Sequence, residues 1–524
     1  MHASGTQTLP TLLAQKTLAH PDKTVLVFEN AQGDVSTLSY ASLSLAVNRL
    51  CNSLVASGLE PGQSVALMMG NCTEFLVSWL AINQAGAVMV PVNVFYAPDE
   101  LAYLLNNADC VAFISEPRFL SVYAEVANKC PTVRIQICGR TDDVTAEFQL
   151  LSDILRDGDA THRLVTIPPE APSQIVFTSG TTSRPKGAII SHLATMLQGI
   201  AVAQVLGMNP DDRSCVVLPL FHVNAQFMSV VPTLTVGGTI VMIETYSATR
   251  FWDQVRKHDC TLMSIVPMQL RTMLAQPPHP DDAVHRVRLS FYALITTDEE
   301  WTRFEERFGV RLVEGYGLSE TLGICTCNPA VFGKVKRHCI GLPVPGREIR
   351  VIDEEGIDQP SGKPGRIMVR GHPMFSGYFK NPEATTACMV EGWFDTGDNG
   401  FFDEDGYLHF FDRSKDVIKR AGENIAASEV ERVLNEHPKI AESAVISVPD
   451  PLRDEAVKAF VVLRPGEVIH VEEIQAWCLK HLAKFKVPSF YEFIDALPKT
   501  SIGKIMKYKL KQRDKDGTHQ KTDL

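Results

Sequence analysis

Between residues 40 and 115 the apolar positions of the chain switch back and forth between two spacings. "ASLSLAVNRLCNSLVASG" places them three and four apart and stops at Gly58, which predicts an amphipathic helix with a glycine end. "SVALMMG" is one continuous apolar run and predicts a buried strand. "TEFLVSWLAINQAG" returns to helical spacing and stops at Gly86, and "AVMVPVN" predicts a second strand. The same rhythm returns around residues 215–320. Such alternation predicts parallel strands with helices on both faces, and its recurrence predicts two α/β halves.

From Gly341 to Phe411 the pattern shortens. "EIRVID", "GRIMVRG" and "YLHFFD" sit between turns rich in Gly, Pro and Asp, which predicts a small barrel-like β piece. A third pattern follows "FDRSKD". "SEVERVLNEH" predicts a helix opened by a capping box of Ser428 and Glu431. "AESAVISV" and "AVKAFVVL" predict strands. "EEIQAWCLKHLAKF" puts Ile474, Trp477, Cys478, Leu482 and Phe485 on one helical face. The expected fold class is therefore α/β. A large N-terminal domain, residues 1–412, holds two α/β subdomains and a small β-barrel. An α+β C-terminal domain, residues 413–524, follows it.

Composition narrows the possible functions. A chain of 524 residues exceeds what one core supports. The net charge of −11 excludes a general nucleic-acid binder, which needs a positive surface. Twelve cysteines are scattered without a CxxC pair, so neither a disulfide framework nor a zinc site is expected. Thiols in a reducing cytosol are the simpler reading, and a cytoplasmic location is expected. The first residues do not read as a signal peptide. The most apolar stretch, Phe227 to Ile243, contains Pro232, Gly237 and Gly238 and falls short of the ~20 residues a membrane-spanning helix needs.

Candidate chemistry starts at "TSGTTSRPKG", Thr178 to Gly187, just after the apolar run "SQIVF". Gly180 and Gly187 let backbone approach a ligand closely. Hydroxyls and turn N–H groups cradle phosphate oxygens, and Lys186 adds charge. The spacing is not that of a P-loop, because Gly180 is followed five residues later by Pro185. Taken alone, the stretch also reads as a surface turn rich in Thr and Ser. Four further segments follow in order: "YGLSET", "WFDTGD", "DRSKDVIKRAGENI" and "PKTSIGK". Together the five resemble the adenylate-forming enzymes, which include acyl-CoA synthetases, luciferases and peptide-synthetase adenylation domains. The resemblance runs from about Leu9 to Lys509.

That resemblance implies a carboxylic acid activated by ATP, with Mg²⁺ as cofactor, and an acyl-adenylate that passes its acyl group to coenzyme A. Thr178, Ser179, Gly180, Thr181, Thr182 and Lys186 would hold the β- and γ-phosphates. Tyr316 would stack on adenine beside Gly317, and Ser319, where the family usually has Thr, would touch the α-phosphate. Glu320 would coordinate Mg²⁺, a hard cation suited to carboxylate oxygens. Asp398 would accept from the ribose hydroxyls, and Arg413 would touch ribose or phosphate. Lys504 would bridge the carboxylate and α-phosphate as a movable point charge. Lys415 matches the hinge about which the C-terminal domain turns between half-reactions. Gly422 and Glu423 would line the pantetheine tunnel. Phe221, His222, Phe227 and Tyr292 are expected at the acyl pocket. One region departs from the family: a "GGAP"-like turn is replaced by "FYALITTDEE", Phe291 to Glu300, so the adenine wall is rebuilt.

The segment "LFHVNAQ" carries His222 where amino-acid-activating relatives place Asp, and no carrier sequence follows Lys509. Both features point to a free-standing CoA ligase, as monomer or homo-oligomer. "YSATRFWDQV", "RTMLAQPP", "RDEAVKAFVVL" and "KFKVPSF" look most like the carnitine/crotonobetaine-CoA ligase branch. Another small or medium aliphatic or aromatic acid is the competing substrate. The alternatives from other classes are a luciferase-like adenylating oxygenase, a nucleotide sensor without catalysis, and an ADP-forming ligase or kinase.

Overall fold

The computed structural model describes residues 7–162, 165–178, 185–293, 298–331, 333–337, 339–353, 355–413, 417–498, 505 and 507–515. Contacts divide the chain into two units. The first comprises Met1–Val94, Leu105–Phe177 and Gly187–Asp412; the second comprises Phe95–Leu104, Thr178–Lys186 and Arg413–Leu524.

The first unit is built on two large sheets. In the nine-stranded sheet six neighbouring strands run parallel, in the order Arg311–Tyr316, Leu289–Tyr292, Leu262–Ile265, Arg213–Val216, Thr239–Ile243 and Thr24–Glu29. Antiparallel strands finish both ends: Val35–Ser39 on one side, Thr326–Cys327 and Leu342–Pro343 on the other. In the seven-stranded sheet the order is Gln149–Leu150, Ile135–Cys138, Cys110–Ser115, Ser64–Met68, Val88–Pro91, Pro172–Thr178 and Lys186–Ser191. Strands of this kind are buried on both faces, which is why Ser64–Met68 and Thr239–Ile243 are wholly buried and read as unbroken apolar runs. The helices Tyr40–Ala56 and Thr73–Gln84 fall where the sequence periodicity puts them. Their Leu50, Leu54, Phe75 and Trp79 join Leu67 and Met89 in one apolar core. A second core gathers Phe251, Trp252, Phe304 and Phe308.

The apolar stretch Phe227 to Ile243 resolves into three pieces. A π-helix, Ala225–Val230, leads into the helix Val231–Val236, which stops at left-handed Gly237 (φ +81°) before the strand Thr239–Ile243. Among the described residues no helix is long and apolar enough to cross a membrane.

Still in the first unit, the short β runs form a five-stranded antiparallel sheet ordered Arg347–Ile352, Gly365–Gly371, Trp393–Phe402 and Met389–Val390, with Leu408–Arg413 also on Trp393–Phe402. Val351, Ile367, Val369, Phe394 and Leu408 form its core.

The second unit has its own five-stranded sheet. The long hairpin of Ile440–Asp450 and Asp454–Leu463 is flanked by Val417–Arg420, Glu423–Ala426 and Phe490–Phe493. Ile474, Cys478 and Leu482 enter its core with Val430, Leu434 and Val457. The helix after the junction corrects one expectation. It begins at Ala427, so Ser428 lies inside it and is not its cap. The Glu431 carboxylate instead accepts from the Val445 N–H at 2.8 Å and pairs with Lys507 at 2.7 Å. Tertiary partners claim the side chain that a capping box would have used.

Candidate active site

The last parallel strand, Arg311–Tyr316, ends in the sequence Gly317-Leu318-Ser319-Glu320, and the chain then doubles back. Cys325 N–H donates to Tyr316 O at 2.8 Å and Asn328 N–H to Glu314 O at 2.7 Å. The turn is too tight for side chains at its neck. A Cβ on Gly317 would lie 2.5 Å from Ile324 Cα and 2.6 Å from Gly323 O. Thr321 closes the turn: its Oγ1 accepts from Leu318 N–H at 2.8 Å and donates to Leu318 O at 3.1 Å. The next residue, Leu322, sits in the left-handed region at φ +55°. This geometry sets Glu320 just beyond the carboxyl end of a parallel strand, where open α/β sheets hold their ligands.

Glu320 is only 8% exposed. Its Oε1 accepts from the Tyr378 hydroxyl at 2.6 Å, and its carbonyl accepts from Phe375 N–H at 2.9 Å. Burial, and then the adjacent Glu320, raise the Tyr378 phenol well above its usual range, so it stays a donor. A second tyrosine–carboxylate pair stands beside the same turn. The Tyr316 hydroxyl donates to Asp398 Oδ2 at 2.8 Å. Burial and Asp398 likewise raise the Tyr316 phenol. Asp398 is 3% exposed on the strand Trp393–Phe402. Its N–H donates to Thr396 Oγ1 at 3.1 Å, and Thr396 in turn donates to Ile367 O at 2.8 Å.

Behind the turn lies Arg347, buried and, among the described residues, without a carboxylate partner. Its Nη2 donates to Thr321 O at 2.8 Å, while Gln198 Nε2 donates to Leu322 O at 2.9 Å. Burial lowers the Arg347 guanidinium to about 10. These two side chains hold the carbonyls that follow Glu320.

The structure brings Tyr316, Gly317, Ser319, Glu320 and Asp398 together in the first unit. Phe221 and His222 are adjacent rings, 4.6 Å between centroids, and His222 is half-buried. The carbonyl of Val223 lies near Gly323, so their segment reaches the Glu320 turn. Phe227 and Tyr292 are fully buried in two different apolar cores. In the second unit Thr178 Oγ1 donates to Lys186 O at 3.5 Å. Gly422 is exposed at φ +86°, and half-buried Glu423 opens the strand Glu423–Ala426. Arg413 ends the strand Leu408–Arg413. Ser179, Gly180, Thr181, Thr182, Lys415, Lys504 and residues 294–297 of the adenine-wall segment lie outside the described residues.

Tyr378, Arg347 and Gln198 were not legible as site residues. Each reaches the Glu320 turn from far along the chain, Tyr378 from 58 residues away, and no local spacing marks them.

The sequence pattern described as "AMP-binding enzyme" matches residues 13–379, and that described as "AMP-binding enzyme C-terminal domain" matches residues 429–504. The chain belongs to the AMP-binding enzyme family. Among curated relatives, this AMP-binding enzyme is 38% identical over 500 residues to a crotonobetaine/carnitine–CoA ligase of Salmonella agona (strain SL483), covering 94% of this chain and 96% of the relative. The fold matches an o-succinylbenzoate CoA synthetase of Bacillus subtilis with a TM-score of 0.85 at 24% identity, covering 97% and 99% of the two chains. An ATP-bound MatB from Rhodopseudomonas palustris is 30% identical with a TM-score of 0.71, covering 97% and 99%. An amide bond synthetase of Marinactinospora thermotolerans is 27% identical with a TM-score of 0.85, at the same coverage. This AMP-binding enzyme is accordingly an acid–thiol ligase of the acyl-CoA synthetase type.

Proposed function

We propose that the enzyme joins a small carboxylic acid to coenzyme A in two steps. In the first, a carboxylate oxygen attacks the α-phosphorus of ATP, and pyrophosphate leaves. In the second, the thiol sulfur attacks the acyl carbonyl, the proton goes to solvent, and AMP leaves. A free carboxylate is a poor electrophile, and the mixed anhydride supplies the leaving group. The pair of tyrosine-held carboxylates at one turn carries this reading. Both carboxylates are buried, so that hydrogen bonds from a ligand would be charge-assisted in a dry setting.

Asp398 would receive the ribose hydroxyls, and Tyr316 would flank the adenine while orienting Asp398. Ser319 would touch the α-phosphate, and Thr178 to Lys186 with Arg413 would hold the remaining phosphate oxygens. Glu320 suits magnesium. Among the described residues no three His, Cys, Asp or Glu side chains gather to hold a metal ion, and a lone carboxylate fits a cation that keeps waters and binds mostly through phosphates. Magnesium bound there would neutralise phosphate charge. Lys504 would bridge acid and phosphate in the first step, with Lys415 as the hinge. Gly422 and Glu423 would face the pantetheine in the second.

The 38% identical relative supports a betaine acid such as carnitine or crotonobetaine. The full burial of Phe227 and Tyr292 favours the competing reading, a small or medium aliphatic or aromatic acid, because a trimethylammonium group needs accessible aromatic faces. Twelve cysteines without a disulfide suit a cytoplasmic setting. Mass spectrometry of products from ATP, magnesium, coenzyme A and a panel of acids tests the proposal. AMP, pyrophosphate and an acyl-CoA thioester are expected; ADP, or no nucleotide turnover with any acid, would overturn it. Carnitine, crotonobetaine, benzoate and C4–C10 acids in one panel separate the two substrates.

A further inference from the structure

The Tyr378 hydroxyl donates to Glu320 Oε1 at 2.6 Å, and both residues are buried. Such a bond takes up one lone pair and stops rotation about the last side-chain bond of the glutamate. Oε2 is left pointing one way. Among the described residues Glu320 has no lysine or arginine partner that would compete for that oxygen.

The segment carrying Tyr378 is itself held firmly. Tyr378 N–H donates to Thr385 Oγ1 at 2.9 Å. Phe379 N–H donates to Gly187 O at 2.7 Å, and Ile189 N–H to Gly377 O at 2.9 Å. Tyr378 also bridges Ala188. Phe375, three residues earlier, grips the Glu320 carbonyl. One short stretch therefore fixes both the backbone and the side chain of Glu320, and ties them to the strand Lys186–Ser191, on which "TSGTTSRPKG" ends.

A buried tyrosine needs an acceptor whatever its role. A merely structural hydroxyl would lower stability and affect nucleotide binding equally with or without metal. We propose that Tyr378 is a positioning residue that aims Oε2 of Glu320 at magnesium carried on the nucleotide phosphates. The inference rests on Glu320 being the metal-facing carboxylate.

The test is calorimetric titration of the whole protein with a non-hydrolysable ATP analogue, with and without magnesium and without acid. It compares wild type, Tyr378→Phe, Glu320→Gln and the double variant. Tyr378→Phe is expected to leave metal-free affinity within about twofold and to cut the gain from magnesium about tenfold, the scale on which supporting partners of metal ligands act. It should add nothing in the Glu320→Gln background. An unchanged magnesium gain in Tyr378→Phe, or an equal loss in both backgrounds, overturns the inference. A normal magnesium gain in Glu320→Gln removes the metal reading of Glu320 and this inference with it. A loss in Glu320→Gln alone removes only the inference. Should Tyr378→Phe fail to fold by circular dichroism, Thr385→Ala, which takes away the acceptor holding Tyr378 N–H, must show a smaller loss confined to the magnesium gain; no loss there overturns the inference as well.

Discussion

Asp398 and Glu320 each accept a hydrogen bond from a tyrosine hydroxyl, and both tyrosines keep their proton. A carboxylate oriented in this way is ready for its ligand before the ligand arrives, so less ordering remains to be done on binding. Removing the charge should cost more than removing the donor. Asp398→Asn is expected to weaken AMP binding by about 1.5–3 kcal/mol, the scale of a hydrogen bond to a charged group. Tyr316→Phe should weaken it by about 1 kcal/mol, roughly fivefold. Equilibrium titration with AMP reads both, and equal losses would show that the charge on Asp398 is not what the ligand uses. At this scale the sequence was half legible. Glu320 and Asp398 stand in recognisable local strings. Tyr316 stands in one of those strings too, but its bond to Asp398, and the contacts of Tyr378, Arg347 and Gln198, are long-range ones that no window of neighbouring residues contains.

The elements themselves were easier to read, because their cause is local. Alternating runs of apolar residues marked the parallel strands and helices, and Gly58 and Gly86 marked helix ends that the structure places at φ +88° and +75°. The capping box at Ser428 failed because a distant strand competes for Glu431. The turn after Arg311–Tyr316 depends on Gly317 having no side chain. Gly317→Ala pushes a methyl into backbone and should cost about 2 kcal/mol with loss of activity, measurable by urea unfolding and turnover. A second test concerns the helix His192–Val205. Its first residue is fully buried, and among the described residues neither ring nitrogen has a hydrogen-bond partner. Burial lowers its imidazole from 6.5 to about 4. The folded state therefore refuses a proton that the unfolded chain accepts. His192 costs no stability above its unfolded value, and the loss grows as pH falls from 6.5 toward 4, reaching about 3 kcal/mol. His192→Leu should flatten that part of the acid limb in urea midpoints taken from pH 7 to 4.

At the level of the whole molecule, a separate C-terminal pattern matches residues 429–504, and contacts group Arg413–Leu524 with Phe95–Leu104 and Thr178–Lys186 in a second body. If the two chemical steps use different faces of that body, they should fail separately. Lys504→Ala is expected to abolish acid-dependent pyrophosphate release, yet leave thioester formation from a supplied acyl-adenylate within about threefold. Gly422→Leu should do the reverse, since a branched side chain at φ +86° is strained and would fill the space proposed for the thiol arm. Equal damage to both steps by either variant would refute the separation. The order of the motifs is what leads the sequence to predict this division. The adenine wall was not readable, because its segment departs from the family and its contacts are made in space.

None of the twelve cysteines is joined in a disulfide, and Cys388 alone is not fully buried. It ends the helix Pro382–Cys388, one turn past Thr385, the residue that steadies Tyr378. A thiol-reactive dye should therefore mark the native enzyme at a single position, one equivalent before denaturation and twelve after, with no engineering of the chain. Its fluorescence would make nucleotide arrival at the neighbouring turn visible in real time.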